Sequence, residues 1–183
     1  MTKPNRQGIV FSIGLIGLIV AGFAIQVFVW PKLGGFGLVP RRARGVVGIF
    51  TMPFLHANLG HLLANLSALV VLLGFVFAFH SKRLPEVVVR VILFGGILLW
   101  LFGRQANHVG ASGLVYGLAA FVLVSGIVQR KFLPVAAAIG VAVMYGSSLF
   151  WGLVPADPGI SWDGHLAGGL VGAFVGRKKG RRG

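Results

Sequence analysis

The stretch Leu59-Gly60-His61-Leu62-Leu63-Ala64-Asn65-Leu66-Ser67-Ala68-Leu69-Val70-Val71-Leu72-Leu73-Gly74-Phe75-Val76-Phe77-Ala78-Phe79 contains no Asp, Glu, Lys or Arg. Its reading decides the fold. A helix rises about 1.5 Å per residue, so a run of this length reaches across the ~30 Å hydrocarbon core of a bilayer. Working outward, five more apolar runs cover about residues 8–30, 86–102, 112–129, 134–153 and 164–176, with short polar or Gly/Pro breaks between them. The expectation is an all-α polytopic membrane protein of six transmembrane helices, a single domain over residues 1–183 with no soluble catalytic part.

Composition agrees. Of 183 residues, 56% are hydrophobic and only 11% charged, too little polar surface to cover one water-soluble domain. Cysteine is absent, which excludes disulfide frameworks, thiolate metal sites and cysteine nucleophiles. The first run is longer than the roughly 7 to 15 apolar residues of a signal-peptide core and closes on Val27, Phe28, Val29 and Trp30, so it reads as an uncleaved helix. Residues 31–55 carry Lys32, Arg41, Arg42 and Arg44 among glycines and prolines; they form a long first outer loop expected to lie along the membrane surface.

The formal charge of +14, from 17 Lys and Arg against 3 acids, does not form a stripe interleaved with aromatics, so nucleic acid is not the partner. The basic residues sit in clusters between apolar runs and in a tail over 177–183, the pattern of cytoplasmic anchors beside anionic lipid headgroups. Six crossings place both termini on one side. Setting them in the cytoplasm puts Lys3, Arg6, Lys82, Arg83, Arg130, Lys131, Arg177, Lys178, Lys179, Arg181 and Arg182 inside, and leaves Lys32, Arg41, Arg42, Arg44 and Arg104 outside, with Arg90 within a span.

Polar side chains inside spans mark candidate sites. His56, His61 and Asn65 lead into the second run, and the four-residue step from His61 to Asn65 points both along one helical face. They serve either chemistry or interhelical hydrogen bonding, the latter worth about 0.6 kcal/mol per contact. In Gly110-Ala111-Ser112-Gly113-Leu114-Val115-Tyr116-Gly117, a flexible loop delivers Ser112 to a helix start, where free N–H groups can hold an anion forming beside the hydroxyl. The plainer alternative makes Ser112 an N-cap and Gly113 with Gly117 a packing face. In Gly164-His165-Leu166-Ala167-Gly168-Gly169-Leu170-Val171-Gly172, Gly168 and Gly172 clear a face on which the helix can approach a neighbour until His165 meets that neighbour's side chains; a satisfied interfacial histidine is the alternative.

The spacing of His56 and His61 is not that of a His-Glu-x-x-His zinc helix, and no carboxylate lies near them, so no metal is assigned. His80 and His108 read as interfacial.

Together, His56-x4-His61-x3-Asn65, Gly110-Ala111-Ser112-Gly113 with Tyr116, and His165-x2-Gly168-x3-Gly172 resemble the rhomboid family of intramembrane serine proteases, in its minimal six-helix bacterial form. One departure is the stretch Gly45-Val46-Val47-Gly48-Ile49-Phe50, where many members carry a Trp-Arg pair. The resemblance implies that Ser112 is the nucleophile and His165 its general base, a dyad without an acidic third member. It further implies that Asn65, His61 and the Ser112 N–H hold the oxyanion, that Tyr116 orients the His165 ring, that no cofactor is needed, and that the substrates are transmembrane segments of other proteins. Two rivals remain: a proteolytically inactive rhomboid-like protein that binds membrane clients, and a small transporter or proton channel using His61 and His165 as a relay.

Overall fold

The computed structural model describes residues 6–177; Lys3 and the tail residues Lys178, Lys179, Arg181 and Arg182 lie outside that range. It has helices α1 (Arg6–Ala24), α2 (Gly45–Thr51), α3 (Leu59–His80), α4 (Leu84–Phe102), α5 (Ser112–Gln129), α6 (Phe132–Trp151) and α7 (Trp162–Gly176). No β-strand occurs among the described residues. Hydropathy decides these elements and local chemistry trims them. Asn58 caps α3 through its side-chain oxygen, which accepts from the His61 N–H at 2.8 Å, while α5 stops at Arg130, whose φ of 52° lies in the left-handed region. The last turn of α1 widens into a π turn over Ile25–Val29.

Among the described residues, four segments are long and apolar enough to cross a membrane: Arg6–Val29, Leu59–Phe102, Ser112–Gln129 and Phe132–Trp151. The second holds both α3 and α4, bent at a 3-10 turn over Ser81–Arg83. Ile13, Phe28, Phe132, Val143 and Phe174 stand exposed on the outer surface, a distribution that fits hydrocarbon rather than water as the surrounding solvent. The chain is an integral membrane protein.

α5 is the centre of the bundle, packed against α3, α4, α6 and α7. Leu69, Leu72, Leu84, Val87, Leu118 and Phe121 are completely buried around it. Lipid tails are as apolar as these side chains, so close fit rather than solvent exclusion holds the helices together. The fit is tightest between α5 and α7. A methyl on Gly168 would strike the Gly113 carbonyl, one on Gly172 would strike the Gly117 carbonyl, and Gly95 brings α4 against the back of Gly168. The small-residue faces expected from sequence are therefore backbone-to-backbone contacts.

Residues 31–55 are more fully built than a segment lying along a surface. They form a 3-10 turn (Pro31–Phe36), then α2, then a second 3-10 turn (Met52–Phe54). Leu38, Ile49 and Met52 make a small core with Leu99 and Ala167. Leu38 exchanges backbone hydrogen bonds of 2.9 and 2.8 Å with His108, and Trp100 Nε1 donates to the Arg42 carbonyl at 3.0 Å. The stretch that departs from the family pattern is α2 itself, whose Ile49 side chain fills the space above Gly96 on α4.

Candidate active site

α3, α5 and α7 all begin at the same end of the bundle, so their first turns converge there together with the loops 103–111 and 152–161. A cleft of about 570 Å³ opens between them, lined by His61, Asn65, Ser112, Tyr116, Trp151 and His165 among others. Ser112 and His165 are 53 positions apart in the chain, yet the His165 Nε2 atom lies 2.9 Å from Ser112 Oγ. The Gly113–Gly168 contact sets that distance, because Gly113 follows Ser112 and Gly168 is one turn beyond His165.

The protonation pattern of His165 follows from its other nitrogen. Nδ1 lies 2.7 Å from the Gly152 carbonyl oxygen, and a carbonyl only accepts, so Nδ1 carries the hydrogen and Nε2 presents a lone pair to the serine hydroxyl. A main-chain carbonyl thus occupies the position a triad acid holds elsewhere. The Tyr116 ring stacks on His165 with centroids 4.1 Å apart and planes inclined by 5°. Its hydroxyl donates to the Ser148 carbonyl at 3.1 Å. One plane is fixed from the side and one nitrogen from the edge, leaving the imidazole little freedom to rotate.

Asn65 is 5% exposed and its Nδ2 has no acceptor among the described residues. An unpaired donor in such a place is costly unless something passing through the cleft uses it. His61 borders the same point. Gly110, two residues before Ser112, has φ +115°, and a methyl there would come within 2.6 Å of His61 Cε1 and 3.5 Å of Asn65 Nδ2. Both the backbone twist and the close approach require glycine. Ser112 opens α5, so its N–H and those of its neighbours have no partner in the preceding turn. Ala111, not Ser112, occupies the N-cap position, which removes the capping alternative and leaves the hydroxyl for His165.

His56 is fully buried, and neither ring nitrogen has a hydrogen-bond partner among the described residues. Its ring meets that of His61 edge to face at 5.2 Å. Burial chiefly, and the charge His61 would carry, hold its pKa down to about 4, so the ring stays neutral. His108, in the loop ahead of Ser112, is buried. It is 3% exposed, 2.7 Å from Ser161 Oγ through Nδ1 and 3.1 Å from the Arg104 carbonyl through Nε2. Asp163, in the first turn of α7, accepts from the Arg104 backbone N–H at 2.8 Å, and Arg104 also donates to the Ile160 carbonyl. This network ties the start of α7 to the loop that leads into Ser112. His80 is half-buried at the opposite end, with Ser125 Oγ at 3.2 Å and Gln129 Nε2 at 3.0 Å. Among the described residues no three His, Cys, Asp or Glu side chains are placed to hold a metal ion.

The Gly152 carbonyl, like the Ser148 carbonyl that holds Tyr116, could not be revealed by residue type, since any residue supplies a carbonyl. Its only trace in the sequence is the glycine: a methyl there would strike the Tyr116 hydroxyl and lie 3.2 Å from His165 Nδ1.

A bundle of this kind, with a serine and a histidine brought together beneath polar loops, defines a class, and comparison with known proteins names it. The Rhomboid domain model matches residues 43–182, and the chain belongs to the Rhomboid family, whose members are generally intramembrane serine proteases. An uncharacterized protein of Mycobacterium tuberculosis is 36% identical over 149 residues, covering 76% of this chain and 61% of that protein. One of Mycobacterium leprae is 39% identical over 140 residues, 70% of this chain and 54% of that protein. The chain thus spans just over half to about three fifths of the length of these relatives.

Proposed function

We propose that this protein is an intramembrane serine endopeptidase that cleaves transmembrane segments of other membrane proteins, with Ser112 as nucleophile and His165 as general base. The observation that carries the reading is the 2.9 Å approach of Ser112 Oγ to His165 Nε2, with Nδ1 donating to the Gly152 carbonyl. His165 Nε2 takes the hydroxyl proton as Ser112 Oγ bonds to a substrate carbonyl carbon. The negative oxygen so formed is met by the Ser112 N–H and by donors from Asn65 and His61, each donor of this kind being worth about 2.7–4 kcal/mol in soluble proteases. Collapse breaks the peptide C–N bond, His165 returns its proton to the departing amine, and an acyl-Ser112 ester remains. Water, deprotonated by His165, hydrolyses that ester and restores the serine. No step calls on a metal or an organic cofactor.

The membrane arrangement belongs to the same proposal. α1 with its π turn, α3, α4, α5, α6 and α7 make six crossings, both termini are cytoplasmic, and the cleft opens to the external face of a bacterial cytoplasmic membrane. The distribution of basic residues favours that orientation. α7 has only 15 residues, about 22 Å at helical rise, and serves as a crossing because its neighbours cover most of it. Water for deacylation enters among the polar loops. Substrates must expose a carbonyl that a helix keeps shielded, so segments with Gly or other weak helix formers are favoured. Basic side chains at the cytoplasmic face pair with anionic headgroups.

The test is cleavage of a membrane-spanning substrate in proteoliposomes by wild type, Ser112→Ala and His165→Ala protein. Cleavage lost in both variants supports the reading. Folded wild-type protein that binds such a segment without cutting it, or that carries ions equally well as Ser112→Ala, contradicts it.

A further inference from the structure

The loop that leads into the His61/Asn65 face has to be held by something. His56 lies just ahead of α3, completely buried, and its ring has no hydrogen-bond partner among the described residues. Its backbone is bonded instead, by a side chain from a distant helix. Gln26 Nε2 donates to the His56 carbonyl at 2.8 Å, and the His56 N–H donates to Gln26 Oε1 at 3.1 Å. One side-chain amide thereby pairs with both polar groups of a single residue, as a neighbouring strand would.

The chain around Gln26 is shaped for this contact. Gln26 falls in the π turn that ends α1, a departure from regular helix found frequently at functional sites. One helical turn earlier, a methyl on Gly22 would lie 2.6 Å from the Phe54 carbonyl oxygen. The two positions form one face, the glycine admitting the loop backbone and the glutamine gripping it two residues later. From His56 the contact passes directly to the site. The His56 ring stands 5.2 Å from that of His61, and the His61 ring and the Asn65 amide both border Gly110.

We infer that Gln26 is a positioning residue for the oxyanion donors, locking the His56 backbone so that His61 and Asn65 face the oxygen of the carbonyl attacked by Ser112. Gln26 also lies outside residues 43–182, the part of the chain matched by the family model; α1 thus reaches the loop ahead of the site through Gln26, with Phe23 edge-on to the His56 ring at 6.3 Å. The inference rests on the proteolytic reading above, since it assigns a role in the transition state.

Gln26→Met keeps the length of the side chain and removes both polar atoms. Donors to an oxyanion act on the transition state rather than on bound substrate, so the expected result is a kcat lowered roughly tenfold or more with KM within about twofold, a small displacement being enough to cost that much. The full-length protein in proteoliposomes is assayed beside Asn65→Ala and the double variant. If both residues serve the same oxyanion, the double variant loses little more than Asn65→Ala alone. Additive losses, a rise in KM with kcat intact, or full activity in Gln26→Met would overturn the inference. Should Gln26→Met fail to fold, Gln26→Glu, which retains the acceptor for the His56 N–H but not the amide donor, is put through the same cycle with the same criteria. Wild-type protein without Ser112-dependent cleavage would instead overturn the proteolytic reading.

Discussion

Adding one methyl at Gly168 tests whether the α5–α7 contact sets the catalytic distance. In Gly168→Ala the new carbon would lie 2.7 Å from the Gly113 carbonyl carbon and would collide with the oxygen, where about 3.5–4.0 Å is the comfortable carbon separation. The shortfall is roughly 1 Å. α7 has little room to turn away, because Gly95 of α4 holds its other side at close range. The helices must part, and the parting falls on the dyad, Gly113 adjoining Ser112 and Gly168 lying one turn from His165. Stretching the 2.9 Å Ser112–His165 approach to about 3.9 Å takes it out of hydrogen-bonding range. A misplacement of that size costs about 100-fold in rate, equivalent to roughly 2.7 kcal/mol of barrier, alongside about 1–3 kcal/mol of stability lost to overpacking. The assay is kcat/KM for a transmembrane substrate in detergent, with helicity and thermal midpoint measured on the same samples. Gly169→Ala is the control, since a methyl there meets nothing within 4 Å. Folded Gly168→Ala with wild-type activity, or an equal loss in Gly169→Ala, would refute the reasoning.

Three other outcomes follow from the site. Asn65→Ala should lower kcat about 100- to 1000-fold with folding intact, the loss expected for one oxyanion donor. Tyr116→Phe keeps the stack on His165 and gives up only the bond to the Ser148 carbonyl, so it should retain activity within a few-fold, whereas Tyr116→Ala should lose roughly tenfold, the worth of a stacked pair; steady-state kinetics separates the two. Asp163→Ala leaves the Arg104 N–H without its acceptor and should cost about 1–3 kcal/mol, seen as a lower thermal midpoint in detergent, with Asp163→Asn less affected.

How much of this was legible in sequence depends on the range over which each feature is decided. Hydrocarbon sets the helices, so runs read from hydropathy end within a few residues of α3, α4, α5 and α6, and α7 begins two residues earlier than expected. His61, Asn65, Ser112 and Tyr116 were legible because helical spacing places them on shared faces. Gly113, Gly117, Gly168 and Gly172 announced a close crossing by their lack of side chains. The 31–55 segment was not legible. Its form comes from backbone pairing of Leu38 with His108 and from Trp100 and Arg41 reaching loop and helix-end carbonyls, contacts between residues about 60 to 70 positions apart. The burial of His108 was not legible for the same reason, since its partner Ser161 lies in another loop. Gln26 is one polar residue within an apolar run of the sequence, and only the folded chain brings it to His56.

The central claim is that Ser112 is an activated nucleophile driven by His165. Labelling of the detergent-solubilised protein with a fluorophosphonate probe, read by intact mass, tests it most directly. One adduct on Ser112 is expected in wild type and none in Ser112→Ala or His165→Ala. Folded wild-type protein that takes up no label, or labelling that persists in His165→Ala, would contradict it.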